Sequence, residues 1–207
     1  MVARGSLRYF WLRRLHSLLG IVPIGAFVLE HFWSNSYAFQ GPAAFDKMVV
    51  DLQGLPLVVV LEVGLIGLPI LFHVALGLVI MYTGANNFLR YGYYRNWMYF
   101  FQRVTGVVAL AFIAYHVWET RIAAALRDRV FTYADMQQLI QGEAWAPWVY
   151  AVGIVSVCFH FANGIATSLM TWGITVSPRS QRMTAIACWG FFALMSGWGL
   201  MILREFV

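Results

Sequence analysis

The chain has 207 residues, of which 61% are hydrophobic, 17% aromatic and only 11% charged, with a mean hydropathy of +0.69. Soluble domains carry charge on about a quarter of their residues, so this composition excludes an ordinary soluble fold and puts the chain in lipid. At about 20 to 25 apolar residues per crossing the length admits five or six spans and no separate soluble catalytic domain, and the +5 net charge comes from arginines scattered at the edges of apolar runs, not gathered into a nucleic-acid-binding stripe.

Uncharged runs bounded by charge or turn residues predict five membrane helices, at about 12–34, 56–83, 98–124, 147–173 and 184–204, in one domain covering 1–207. The first follows Arg4, Arg8, Arg13 and Arg14 but lacks a small-residue cleavage pattern and carries His31 near its far end, so it reads as a retained span. Residues 35–55 and 125–146 are long enough for short surface helices. The connections 84–97 and 174–183 are tighter and basic, and Pro178 prevents the fourth helix from running on. Nine Lys and Arg fall on the side of the N-terminus and five on the other, which predicts a cytoplasmic N-terminus and an external C-terminus. Tyr91, Tyr93, Tyr94, Trp97, Trp145 and Trp148 lie at span ends, where amphipathic rings suit the headgroup region. Cys158 and Cys188 sit within apolar runs and read as packing residues.

Four of the five histidines, His31, His73, His116 and His160, lie in four different apolar spans, where an ionisable ring needs a partner or a purpose. A single case would read as a hydrogen bond between helices. Four together match the two axial imidazoles that each of two six-coordinate haems requires. His31 and His116 are 85 residues apart near the far ends of spans one and three, and His73 and His160 are 87 apart in span interiors. His73-Val-Ala-Leu-Gly77 and His160-Phe-Ala-Asn-Gly164 share a glycine one turn on, on the same helical face. His31 lies about 28 Å beyond Leu12 and His116 about 27 Å beyond Met98, so both approach the outer surface. Depth therefore pairs His31 with His116 at an outer, distal haem and His73 with His160 at an inner, proximal one. With both axial positions filled, electron transfer is the expected task.

His16 stands only about 6 Å inside the predicted first span and reads as interfacial. Together with Arg14, Ser17, Arg103 and Arg182 it is a candidate to bond the propionates of the inner haem. Quinone chemistry consumes protons, and Glu30 and Glu62, acids near the outer ends of spans one and two, are candidates for a quinone site. Ser17, His16 and Trp97 would border an alternative site on the cytoplasmic side.

The runs Arg13-Arg14-Leu-His-Ser-Leu-Leu-Gly20, Arg95-Asn-Trp-Met98, Gln102-Arg-Val-Thr-Gly106, His116-Val-Trp-Glu-Thr-Arg-Ile122, His160-Phe-Ala-Asn-Gly164 and Thr171-Trp-Gly-Ile-Thr-Val-Ser-Pro-Arg-Ser-Gln-Arg182 carry a resemblance that extends over nearly the whole chain. In them the sequence resembles the cytochrome b membrane-anchor subunits of succinate:menaquinone oxidoreductase, of the Bacillus type with one anchor polypeptide and two haems. The resemblance implies an all-α membrane protein, a five-helix transmembrane bundle enclosing two stacked b haems held by His31, His73, His116 and His160. It further implies a flavoprotein partner with FAD, an iron-sulfur partner, and menaquinone as electron acceptor at the cell membrane. This chain carries neither a Gly-rich dinucleotide motif nor a cysteine cluster, so those groups are expected on partners docked at the N-terminal arm, 84–97 and 174–183, where Arg90, Arg95, Arg179 and Arg182 offer cationic contacts. The same architecture would serve a fumarate reductase. The anchor of another respiratory dehydrogenase, or a transporter using histidine relays, are the competing readings.

Overall fold

The computed structural model describes residues 7–207; Arg4 and the start of the N-terminal arm lie outside the described residues. Five helical spans, Leu7–Gln40, Val58–Thr83, Tyr94–Leu126, Ala146–Thr171 and Pro178–Arg204, are long and apolar enough to cross a membrane. There is no strand among the described residues. In lipid every backbone polar group must be satisfied within its own segment, which leaves the helix as the only solution for isolated apolar runs.

The helices of spans one, three and five extend beyond the apolar runs that announced them. Span five begins at Pro178, six residues before the hydropathy boundary, because Ser177 and Ser180 form a capping box and Pro178 fits the first turn without needing its missing N–H. Span four already ends at Thr171 and the chain reverses at Gly173, whose φ of +72° favours glycine. Pro178 thus opens the next helix and does not stop the previous one. Span one is jointed: helix Leu7–Ile21 gives way at Val22 to helix Pro23–Asn35, since Pro23 has no N–H to donate, and a 3-10 turn Ser36–Gln40 follows.

Span four is the hub, packed against spans one, three and five. Its buried positions are largely small, among them Gly153, Ser156, Ala162, Ala166 and Ser168, which lets neighbouring backbones approach closely. Span two is peripheral and turns Val59, Val60, Val63, Leu65, Leu68 and Leu71 outward, as a lipid-facing helix should.

Both expected surface helices form, at Pro42–Gln53 and Tyr133–Gln141. They close the end of the bundle remote from the N-terminus. Tyr133 N–H donates to Asp46 Oδ1 at 2.7 Å, and the rings of Phe45, Tyr133 and Phe206 meet at centroid distances of 4.8 to 5.8 Å. Gln141 Nε2 donates to the carbonyls of Phe206 and Val207. The chain's last residues are thereby part of the plug.

Candidate functional site

Two helix carbonyls are uncovered in the bundle interior, and each holds a histidine from another span. In an α-helix the side chain at i+4 stands near the carbonyl of residue i. At both places i+4 is glycine: Gly20 after His16 and Gly106 after Gln102. A Cβ on Gly20 would fall 2.6 Å from His73 Cε1, and one on Gly106 would fall 2.9 Å from His160 Cε1. The bare backbone admits His73 Nδ1 to 3.0 Å from the His16 oxygen and His160 Nδ1 to 3.0 Å from the Gln102 oxygen. A carbonyl can only accept, so each Nδ1 carries the proton and each Nε2 presents a lone pair. The two rings meet with centroids 6.1 Å apart and planes near perpendicular, at 83°.

Gln102 secures this level further, donating from Nε2 to the His160 carbonyl at 3.0 Å and accepting from Asn163 Nδ2 at 2.6 Å. In the corresponding place His16 stacks on His73, centroids 3.9 Å apart and planes 13° from parallel. This corrects the interfacial reading of His16. The helix starts at Leu7, five residues before the apolar run, so His16 lies about 14 Å in from the helix start instead of about 6 Å.

A largely apolar cavity of about 990 Å³ opens here, bordered by His16, Ser17, His73, Arg103, His160 and Arg182. Of the four residues expected to meet carboxylates, Ser17, Arg103 and Arg182 border it. Arg14 does not: its guanidinium lies over the rings of Phe10 and Trp172, 4.4 and 5.1 Å from their centroids, and Arg13 borders the cavity instead. Ser17 Oγ donates to Ser168 Oγ at 2.7 Å, while Arg103 bonds Asn86 Oδ1 at 2.6 Å and the Tyr99 hydroxyl.

The second level lies about 16 Å further along span one and about 15 Å further along span three, counted from Gly20 and Gly106. His31 and His116 meet there with centroids 5.7 Å apart and planes at 79°. Their carbonyls are tied off alike, by Asn35 Nδ2 on His31 O and Thr120 Oγ1 on His116 O, each at 2.7 Å. His116 Nδ1 is 3.3 Å from the Tyr150 hydroxyl, a partner for which sequence offered no signal.

The two acids separate. Glu62 Oε1 and Oε2 accept from Arg121 Nε and Nη2 at 2.9 and 2.8 Å, a two-pronged ion pair joining spans two and three. Each partner sits in a π-helical turn, Glu62–Gly67 and Trp118–Ile122. Glu30 is half-buried, with Oε1 shielded from solvent and without a hydrogen-bond partner. Trp97 remains among Phe88, Phe100 and Phe101 at the start of span three.

Five membrane-spanning helices whose interior holds two levels of facing imidazoles define a multi-pass helical membrane protein built around paired histidines. The succinate dehydrogenase/fumarate reductase transmembrane subunit family matches residues 85–198. The succinate dehydrogenase cytochrome b558 subunit of Bacillus subtilis (strain 168) is 41% identical over 200 residues, spanning 97% of this chain and 98% of that protein. The chain belongs to this family of transmembrane subunits and is a membrane component of an oxidoreductase complex.

Proposed function

We propose that this subunit conducts electrons across the cell membrane through two b haems, from the iron-sulfur partner of succinate dehydrogenase to menaquinone. The observation that carries the reading is the pair of facing imidazole couples, 6.1 and 5.7 Å between centroids, drawn from four different spans. Metal–imidazole bonds near 2 Å on either side of an ion put opposed ring centroids about 6 Å apart, a spacing that both couples match. The glycine-floored cavity at the first couple supplies room for a flat macrocycle. Haem bound here would supply reversible one-electron iron chemistry.

The chain's own residues do the holding. His73 and His160 would hold the proximal haem through Nε2, oriented by the carbonyls of His16 and Gln102. His31 and His116 would hold the distal one. Ser17, Arg13, Arg103 and Arg182 border the proximal cavity and stand as donors to carboxylates there. For menaquinone reduction on the distal side, Glu30, with its unpartnered oxygen, suits proton delivery better than Glu62, whose two oxygens are committed to Arg121. Arg90, Arg95, Arg179 and Arg182 form the cytoplasmic face on which the iron-sulfur subunit docks, with the FAD-bearing flavoprotein beyond it. The N-terminus is then cytoplasmic and the plug of surface helices external, as the excess of arginine on the N-terminal side favours.

Replacing His116 by Ala in the assembled complex tests the reading. The reduced-minus-oxidised spectrum should lose the distal haem and keep the proximal one. Loss of the proximal signal instead would overturn the pairing, and a folded, colourless wild-type complex would overturn haem ligation altogether.

A further inference from the structure

We propose that Tyr150 is the positioning residue of the distal couple: its phenol oxygen accepts the Nδ1–H of His116 and thereby sets that ring's tautomer, rotation and donor strength. The inference rests on His116 being an iron ligand.

Every ring that ligates through Nε2 carries a proton on Nδ1, and that proton needs an acceptor when no water is near. At the proximal level backbone carbonyls serve, uncovered by Gly20 and Gly106. His116 has a different acceptor, a side-chain hydroxyl from span four. Tyr150 is 2% exposed and among the largest fully buried side chains of the described residues. Its hydroxyl is 3.3 Å from His116 Nδ1, and the two rings meet edge to face at 5.7 Å and 76°. The ring is gripped from two sides: Phe112 lies edge-on at 5.2 Å and Tyr115 at 6.2 Å. Phe112 also lies against His116 itself, 5.7 Å between centroids and 28° between planes, so the imidazole is wedged between a phenyl face and a phenol. Gly153, almost one turn after Tyr150, leaves the space that the Phe112 ring fills.

This makes the distal couple lopsided. No phenol bonds His31; the amide Nδ2 of Asn35, a donor, lies 3.3 Å from its Nδ1 and 3.5 Å from its Nε2 and already serves the His31 carbonyl. One distal ligand is therefore tuned through an acceptor and the other is not. Packing alone would be satisfied by phenylalanine at position 150. The hydroxyl is the part that requires an explanation, because a buried hydroxyl without a partner is unfavourable.

The test is Tyr150→Phe in the assembled complex, with the two haems resolved by redox titration and by their low-spin EPR signals. Both haems should be retained, the distal midpoint potential should move upward, since a less electron-rich imidazole stabilises ferric iron less, and the distal EPR signal should shift while the proximal centre stays unchanged. Tyr150→Leu, which also removes the packing, should lose the distal haem. Unchanged distal signals in the Phe variant, or equal shifts at both centres, would overturn the assignment of Tyr150. A wild-type complex without a distal haem would instead strike at the ligand reading beneath it.

Discussion

The imidazoles of His16 and His73 lie one on the other, 3.9 Å apart and nearly parallel, while the main-chain oxygen of His16 takes the Nδ1 proton of His73. One residue therefore supports the other twice, through its backbone and through its ring. The arrangement explains why a chain with five histidines offers two couples and not a cluster. His16 stacks on His73, and Gln102 supplies the corresponding carbonyl to His160 without offering a ring. The two halves of the bundle are built on one plan at a spacing of 85 to 87 residues, and they differ in what stands behind each histidine.

The glycines that make those carbonyls accessible are open to direct test. In Gly20→Ala and Gly106→Ala the added methyl would stand 2.6 and 2.9 Å from a histidine ring carbon, so the ring must withdraw. Overpacking of this kind costs about 1–3 kcal/mol. We expect each variant to lose or weaken the proximal haem signal and leave the distal one in place, read from difference spectra and haem content of the purified complex.

The Glu62–Arg121 pair predicts a reversible loss of stability. Each side chain is about one-third exposed, 36% and 34%, so the pair lies between the screened surface case and the fully buried one. Glu62→Gln or Arg121→Gln should each cost about 1–2 kcal/mol. The exchanged double variant, with arginine at 62 and glutamate at 121, should recover part of that. Thermal unfolding in detergent measures it; equal stability in wild type and single variants would remove the pair from the forces joining spans two and three.

Asp135 gives the plug of surface helices a dependence on acidity. Burial favours its neutral form, but the Thr132 N–H and hydroxyl and the Arg129 guanidinium at 2.6 Å prevail and hold its pKa below the usual value. A depressed carboxyl contributes stability that is present above its unfolded pKa of about 3.9 and is lost as pH falls through the folded value. Protection factors for hydrogen exchange across Tyr133–Gln141 should therefore fall below about pH 4. Asp135→Asn should show faster exchange already at neutral pH, by the about 1 kcal/mol that a helix cap is worth, and a flat pH response.

Much of the site was open to reading before any coordinates. His31, His73, His116 and His160 stand out because an ionisable ring in an apolar run is costly, and their depths along the helices already separate two levels. His16 was misplaced because hydropathy marks where the chain is apolar, whereas the described helix already includes Leu7 and the polar and aromatic residues Arg8, Tyr9, Phe10 and Trp11. Arg14 is a carboxylate candidate by sequence, and nothing in the sequence shows that its guanidinium lies over the rings of Phe10 and Trp172. Glu62 drew notice as a lone acid in lipid, yet its partner is 59 positions away and is brought opposite by turns that no periodicity displays.

Composition and the spacing of apolar runs by themselves determined that this chain crosses a membrane five times with imidazoles at two depths, because transfer into lipid and helical rise act residue by residue and need no knowledge of neighbours. Which atom stands behind each imidazole was decided only when the helices packed. A carbonyl becomes an acceptor for His73 or His160 because a glycine one turn away lets another span come within 3.0 Å, and Tyr150 meets His116 because span four lies against span three. Those contacts are relations between helices, and no single helix encodes them.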